Sequence, residues 1–196
     1  MLKKLLIPCL GIVALAVLSG AALAGVPCTG TSTVVITENS VACTNGCAIC
    51  PRGDLYKITV EVTVLDCYGT ALAGKSVTIS PASAGFVFNV ADSARVLVTN
   101  ALGKVSREYS AFGGCGNLAF RGVVDGVTLG PSANVYISSL DPAIGSPLVC
   151  DALDFSAFGQ HYLQVYPCLD YDCSGTVDAI DFSAFGQHYL HYYGMP

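Results

Sequence analysis

The sequence predicts a mainly β protein in two parts, a β-sandwich followed by a small pair of loop–helix units. Over 28–139, apolar and polar residues alternate in short runs that Gly, Asn or Pro separates, which is typical of strands joined by turns. Near the C-terminus, the string Asp-Phe-Ser-Ala-Phe-Gly-Gln-His-Tyr-Leu occurs at 154–163 and again at 181–190. Its apolar residues recur with a helical period of about 3.6 residues. The change of period predicts two separate parts.

The first residues are typical of a secretion signal. Two lysines precede an apolar stretch over 5–18, and Ala22-Leu23-Ala24 offers a cleavage site of the small-x-small kind. The apolar stretch is short for a membrane span. We therefore predict a signal peptide at 1–24, no membrane span in the mature form, and a protein that is secreted, either extracellular or at the cell surface.

The cysteines follow from this predicted location. Ten cysteines occur in the chain, and all but Cys9 come after the predicted signal peptide. In an oxidising environment they are interpreted first as disulfide partners, in preference to a zinc site. Their number is odd, so at least one thiol stays outside the intramolecular disulfides. The disulfide candidates are Cys28, Cys43, Cys47, Cys50, Cys67, Cys115, Cys150, Cys168 and Cys173.

Charge is distributed unevenly along the chain. All nine Lys and Arg residues lie at or before Arg121, whereas 122–196 contains eight Asp and no Lys or Arg. Carboxylates without cationic neighbours repel one another unless they meet a bound cation. Nucleic acid as a partner requires clustered Lys and Arg, so we exclude it. The same distribution favours a cation site in the C-terminal part.

The clearest predicted strand is 55–65, where apolar residues from Tyr56 to Val64 alternate with polar ones. This alternation places one row of side chains on a core and the other in water. About eight strands at such spacing are typical of a sandwich of immunoglobulin size. The other predicted strands are 33–37, 75–80, 86–90, 94–99, 104–109, 117–124 and 133–138.

Part of this stretch also resembles a known family. The segment Val62-Thr-Val-Leu-Asp-Cys-Tyr-Gly-Thr-Ala-Leu-Ala-Gly-Lys-Ser-Val-Thr-Ile79 is similar to the start of a bacterial Ig-like domain of the invasin/intimin group. The later segment Val98-Thr-Asn-Ala-Leu-Gly-Lys-Val-Ser106 resembles a strand entry of that family. The resemblance implies an Ig-like β-sandwich over 25–139 that acts as a rigid spacer or adhesive module.

The segment 170–181, which leads into the second copy of the repeat, matches a calcium loop. Its oxygen-bearing residues fall at the ligand positions, Gly175 falls at the sixth position where such a loop turns sharply, and Val177 is apolar at the eighth. A solvated acidic turn with capping roles is the weaker alternative. We predict one Ca²⁺ site, and its ligands are Asp170, Asp172, Ser174, the Thr176 carbonyl, Asp178 and Asp181.

The first copy has lost most of these ligands. Aligned backward from Asp154, it keeps Asp151, but its first, third and fifth loop positions hold Ala, Gly and Pro. Asp141 lies two residues too far upstream for the first position unless the loop bulges. We therefore predict a degenerate second site at Asp151 and Asp154 that binds calcium weakly or not at all. Cys150 stands where the second loop has its apolar residue, and a disulfide from it to Cys168 or Cys173 is one way to replace the ion.

The repeated string predicts two short helices that pack on each other. In each copy two phenylalanines, a tyrosine and a leucine share one face. A helix of about three turns does not hold alone in water, so the two aromatic rows are expected to be buried against each other. This arrangement predicts a pseudo-twofold pair. We place a turn-rich linker at 140–147 and the helical module at 148–196.

The duplicated pattern Asp-x-Asp-x-Ser-Gly-x-Val-Asp-x-x-Asp followed by a helix resembles a dockerin module. The resemblance implies Ca²⁺-dependent binding of a cohesin-type domain. It also implies that the tenth and eleventh loop positions contact the partner, which are Ala152 and Leu153 in the first copy and Ala179 and Ile180 in the second. Their similarity in both copies suits two alternative docking orientations.

The leading hypothesis is therefore a secreted, non-catalytic binding protein with an Ig-like β-sandwich and a dockerin-like helical pair. One alternative is a self-associating extracellular stalk or adhesin in which calcium only adds rigidity. Another is an accessory component of a polysaccharide-degrading assembly. No paired carboxylates occur over 28–139, so we do not expect an enzyme. The histidines His161, His188 and His191 have no evident partner constellation and are interpreted as solvent-facing residues, with a metal-binding or catalytic role as the weaker alternative.

Overall fold

The computed structural model describes five stretches of the chain. The predicted signal peptide at 1–24 lies outside them, as do Cys43, Cys47 and Cys50 and most of the predicted linker. No helix among the described residues is long and apolar enough to cross a membrane. The described stretches are 25–38, 48–49, 57–88, 95–142 and 148–193.

Within these stretches the chain is mainly β, which confirms the predicted class. Eleven strands form three sheets, and two helices follow them. The strands are β1 (Thr33–Glu38), β2 (Ala48–Ile49), β3 (Ile58–Thr63), β4 (Ser76–Pro81), β5 (Phe86–Phe88), β6 (Arg95–Val98), β7 (Lys104–Tyr109), β8 (Phe112–Leu118), β9 (Phe120–Val124), β10 (Val127–Leu129) and β11 (Val135–Ser139). The helices are α1 (Ala152–His161) and α2 (Ala179–Gln187).

The three sheets surround one apolar core. Their strand orders are β1-β3-β7, β10-β9-β4-β6 and β2-β11-β8-β5, and all neighbours are antiparallel except β2 and β11. Along β3 the apolar residues are buried and the polar ones half-buried, as the alternation predicts. A Cβ on Gly122 of β9 would lie 3.2 Å from Val62 Cγ1 of β3, so the first two sheets pack face to face. This packing is consistent with a β-sandwich.

One predicted strand is in fact two. The segment predicted as 117–124 divides at Ala119, because β8 pairs within the third sheet and β9 within the second. Gly113 and Gly114 lie inside β8, although glycine was expected to separate the strands. A Cβ on Gly114 would come within 2.2 Å of the Gly85 carbonyl oxygen, so glycine is required by the close approach of a neighbouring chain segment.

The helices are shifted from the predicted 154–163 and 181–190. Each begins two residues earlier, directly after an aspartate that caps it. Each also ends before the leucine that closes the repeated string, because Leu163 and Leu190 adopt left-handed backbone with φ of 62° and 66°. The repeated string therefore encodes a helix and the turn that follows it.

Two equivalent pairs of backbone hydrogen bonds join the loop–helix units in a pseudo-twofold arrangement. The Val177 backbone, in the second loop, exchanges hydrogen bonds of 2.8 and 2.9 Å with 163–164, the turn after α1. The Cys150 backbone, in the first loop, exchanges hydrogen bonds of 2.7 and 3.0 Å with 190–191, the turn after α2. Each loop is thus fixed to the end of the other unit's helix.

The helical part is attached to the sheets by a covalent bond and a shared core. Cys115 of β8 forms a disulfide with Cys168, which lies between α1 and the second loop. Leu140, just after β11, is fully buried with the helices in a second apolar cluster. Its other members are Cys150, Phe158, Leu169, Tyr171, Val177 and Phe185.

The disulfides correct one prediction. Cys168 pairs with Cys115, so its suggested pairing with Cys150 is wrong. The second described disulfide joins Cys28 to Cys67 within the β part. Cys150 is buried and Cys173 half-buried, and neither belongs to these two bonds. The prediction failed because nothing in the spacing brings β8 close to the residues after α1.

Candidate metal centre

Three carboxylates meet at the start of α2. Asp170 and Asp172 come from the second loop, and Asp181 is the third residue of the helix. One oxygen from each of the three lies within 4.8 Å of the others. Calcium ligands stand about 2.3–2.6 Å from the ion, so oxygens at such separations fit around a single Ca²⁺. Among the described residues, this is the one group of three or more acidic, histidine or cysteine ligands that meets this distance criterion.

The loop is shaped by its own carboxylates. Asp170 accepts hydrogen bonds from the amides of Ser174 (2.9 Å) and Gly175 (2.8 Å), and Asp172 accepts a bond from Ser174 (3.0 Å). Gly175 has a φ of 95°, a conformation that glycine adopts without steric cost. The sharp turn at the sixth position therefore occurs where the sequence predicted it, and it turns the chain around the carboxylates.

The other predicted ligands divide into two groups. The Ser174 hydroxyl donates to the Thr176 carbonyl oxygen over 3.1 Å, so these two predicted ligand oxygens are neighbours. Asp178 instead caps α2, since its carboxylate accepts the Ile180 amide at 2.7 Å. The Asp178 amide in turn donates to Asp181 at 2.9 Å, which completes a capping box.

Asp181 is the buried member of the group. Its side chain is fully enclosed, and burial raises the pKa of this carboxyl above its ordinary value, partly opposed by hydrogen bonds from three backbone amides. The largest contribution of the three comes from the Asp178 amide, and the others come from Asp172 and Tyr171. A bound cation at the same place would favour the ionised form. The buried carboxylate is thus the element of the loop whose charge most needs a counter-ion.

The first loop uses the equivalent aspartate differently. Asp154 is buried and Asp151 caps α1, in the same capping box as in the second unit. Asp141 is also buried and shares a hydrogen bond with Asp154, although it lies upstream of the expected position. Burial, followed by the nearby charge of Asp154, raises the pKa of Asp141 to about 8. The two carboxyls therefore hold a proton between them at neutral pH. The residues at 143–147, which align with the lost ligands, lie outside the described stretches.

Tyr171 connects the two loops. Its side chain is buried, and its pKa is raised well above the ordinary value, first by burial and then by the charges of neighbouring groups in both units. Those neighbours are Cys150, Asp154, Asp181 and Asp141. The buried acids of both units thus influence the pKa of Tyr171.

The residues predicted to contact a partner lie on the surface. Leu153 and Ile180 are 68% and 60% exposed, and the alanines that precede them are also exposed. They occupy equivalent places in the first turn of α1 and of α2. Each unit therefore presents a similar apolar pair on its surface, Ala-Leu in the first and Ala-Ile in the second.

The aromatic rows are only partly buried, contrary to expectation. Phe158 and Phe185 are enclosed, but Phe155 and Phe182 remain 50% and 44% exposed. They line two open cavities of about 380 and 370 Å³ whose linings are equivalent through the repeat, except that Ala179 lines only the second. Because the helices are short, only the central phenylalanine of each is enclosed between them. The flanking aromatic residues remain at the edge of the contact.

One close pair was missed by sequence reasoning. His188 and His191 were interpreted as solvent-facing, yet their Nδ1 atoms lie 3.0 Å apart and both residues are half-buried. Their separation of three residues was a signal, but its meaning depended on the left-handed turn at Leu190.

Comparison with known proteins adds no relationship. No protein-family model, no curated protein and no solved structure matches this chain.

Proposed function

We propose that this protein is a secreted, non-catalytic binding protein in which a Ca²⁺-holding loop fixes a dockerin-like helical pair for docking. The partner in this proposal is a cohesin-type domain or another surface protein. The observation that carries the proposal is the meeting of Asp170, Asp172 and Asp181 at the start of α2. Oxygen ligands of this kind are those that Ca²⁺ prefers.

The residues of the loop explain how such an ion would matter. Ca²⁺, when bound, supplies two positive charges among three carboxylates that otherwise repel one another. Asp181 joins the site directly to the helix, because its second oxygen accepts the Asp178 amide at the helix start. The loop and the first turn of α2 are therefore ordered together. The two backbone hydrogen bonds of Val177 connect the ordered loop to the turn after α1.

The exposed apolar pairs at the starts of the two helices support partner docking as the function that calcium binding controls. Leu153 and Ile180 present similar apolar groups on equivalent turns, and the residues from 122 onward carry eight Asp and no Lys or Arg. An apolar partner surface with basic groups around it complements such a face. The equivalence of the two turns supports binding in either of two orientations.

Calcium titration of the mature protein tests the metal half of the proposal. We expect calcium uptake by the unaltered protein and its loss when Asp170→Ala and Asp172→Ala are combined. Val96 lies on β6, and Val96→Asp is a matched surface control that should leave uptake unchanged. No calcium uptake, or equal uptake by the double variant, would sink the proposal.

Surface plasmon resonance with immobilised cohesin-type domains tests the docking half. We expect binding in calcium, loss of binding in chelator, and weaker binding when Leu153→Asp and Ile180→Asp are combined. Binding that chelator leaves intact contradicts the proposal. Sedimentation of the protein alone separates the stalk alternative, which requires self-association.

A further inference from the structure

The second unit brings two imidazoles together at the end of α2. His188 is the residue that ends the helix, and His191 follows one turn later. Their Nδ1 atoms lie 3.0 Å apart, and their rings are nearly perpendicular at 85°. The two Nδ1 atoms therefore share a hydrogen bond, which orients them toward each other.

The backbone holds this pair in place. Leu190 takes left-handed backbone with a φ of 66°, and the His191 amide donates to the His188 carbonyl oxygen at 2.9 Å, which closes the turn. The same turn is fixed from outside by two hydrogen bonds to Cys150, of 2.7 and 3.0 Å. Cys150 itself is fully buried. The two rings thus project from a turn that backbone hydrogen bonds hold in place.

The first unit is an internal comparison. It repeats the turn, with an amide-to-carbonyl bond of 2.9 Å from Gln164 to His161, but it has glutamine where the second unit has His191. The His161 ring stacks instead on Tyr166, with ring centres 3.7 Å apart. The turn alone therefore does not produce an imidazole pair, and the second histidine is the distinguishing residue.

We propose that the Nδ1 atoms of His188 and His191 form a binding site for a divalent transition-metal ion of the Cu²⁺ or Ni²⁺ kind. Imidazole nitrogens stand about 2.0–2.1 Å from such ions, so two of them at a right angle are about 2.9 Å apart and at a tetrahedral angle about 3.3 Å. The observed 3.0 Å, the length of the hydrogen bond between the two rings, lies between these separations, so an ion can replace the proton that the two nitrogens share. Imidazole ligands suit Cu²⁺ and Ni²⁺. Water completes the coordination of the ion.

This site is chemically separate from the carboxylate group at the start of α2. Carboxylate and carbonyl oxygens suit Ca²⁺, whereas imidazole suits transition metals, so the two ends of α2 select different ions. An ion on both rings fastens the C-terminal turn to the helix it follows. The proposal does not depend on calcium binding or on a docking partner.

Metal titration of the mature protein, saturated with Ca²⁺, tests this site. Ni²⁺ is titrated by calorimetry, and Cu²⁺ at one equivalent is followed by electron paramagnetic resonance. We expect one ion per chain and nitrogen coupling from two imidazoles. In His191→Gln, which copies the first unit, the affinity should fall about 100-fold through loss of the chelate. His161→Gln is the matched control and should change neither readout.

The result that overturns the proposal is an affinity and a Cu²⁺ spectrum that are equal in the unaltered protein and in His191→Gln. Absence of Ni²⁺ and Cu²⁺ uptake by the unaltered protein overturns it too. Circular dichroism shows whether the variant is folded. His188→Gln is the second variant, and it should weaken binding in the same way. All cysteines are the same in every sample, so their metal affinity cancels from the comparison.

Discussion

The two loop–helix units contain the same ten residues, yet their buried aspartates meet different neighbours. Asp181 faces Asp170 and Asp172 in a group that fits a cation, whereas Asp154 shares a hydrogen bond with Asp141. Both units have the same capping box and the same left-handed leucine, and their helices differ in length by one residue. The repeated string therefore determines the local structure, and the residues upstream determine how the buried charge is balanced.

From this difference we expect a bound ion in the second unit and a shared proton in the first to balance the charge of equivalent buried aspartates. A buried carboxylate without compensation is costly, so each unit needs one of the two. In the second unit the loop supplies further oxygens that attract a cation. In the first unit only one further carboxyl reaches the site, and two carboxyls at neutral pH are satisfied by one proton.

The largest effects should come from the aromatic residues that both units share. Phe158→Ala and Phe185→Ala each remove a fully buried ring, and each should lower the free energy of unfolding by about 3–5 kcal/mol. Phe155→Ala and Phe182→Ala should cost clearly less, because these rings are half exposed. Chemical denaturation measures all four. Unequal losses for Phe158 and Phe185 would show that the helices are not equivalent.

The disulfide between Cys115 and Cys168 fixes the chain just before the second loop. It closes a span of 53 residues, so replacing Cys115 and Cys168 together by Ser should cost about 4 kcal/mol. It should also weaken calcium binding, because Cys168 lies two residues before Asp170. Replacing Cys28 and Cys67 by Ser is the control, with a span of 39 residues and a similar cost. Equal calcium affinity in both double variants would contradict the link to the loop.

The shared proton in the first unit predicts a pH dependence. The folded pKa of Asp141, about 8, is above its unfolded value of 3.8. The stability that it contributes is therefore complete below the unfolded pKa and is lost as the pH rises through 8. One group of this kind lowers the free energy of unfolding by about 1.4 kcal/mol between pH 7 and pH 9.

Thermal melts of the unaltered protein and of Asp141→Asn measure this effect. The amide keeps a hydrogen-bonding side chain but does not titrate, so the decline between pH 7 and pH 9 should be smaller in the variant. Parallel declines would show that Asp141 and Asp154 do not share a proton.

The smallest predicted effect concerns the turns after the helices. Leu163 and Leu190 occupy left-handed backbone that costs a leucine about 1–2 kcal/mol. Both side chains are exposed, so Leu163→Gly and Leu190→Gly lose little packing. Each should raise the stability by about 0.5–1 kcal/mol after the greater freedom of glycine in the unfolded chain is counted. A loss of stability in either variant would show that its leucine contacts matter more than its backbone.

Much of the fold followed from local patterns. The alternation around Val60 predicted β3 and its buried face, and the repeated string predicted both helices. The calcium-type loop also turns at Gly175 as its spacing predicts. These features depend on neighbours in sequence, which periodicity and turn chemistry describe well.

The remaining features depend on residues far apart in the chain. The disulfide between Cys115 and Cys168, the division of the strand at Ala119, and the approach of Asp141 to Asp154 all follow from tertiary packing. The close pair at His188 and His191 depends on a left-handed leucine, which propensity disfavours. Sequence spacing did not predict the three tertiary features, and for the two histidines it gave only their separation of three residues.

The stoichiometry of calcium binding, measured by calorimetry on the unaltered protein, Asp181→Asn and Asp154→Asn, tests the difference between the units most directly. These two substitutions alter equivalent buried aspartates in the two copies. We predict one Ca²⁺ per chain, an affinity lowered at least about tenfold in Asp181→Asn through loss of a coordinating carboxylate, and an unchanged affinity in Asp154→Asn. Two ions per chain, or an equal loss in the two variants, would contradict the account.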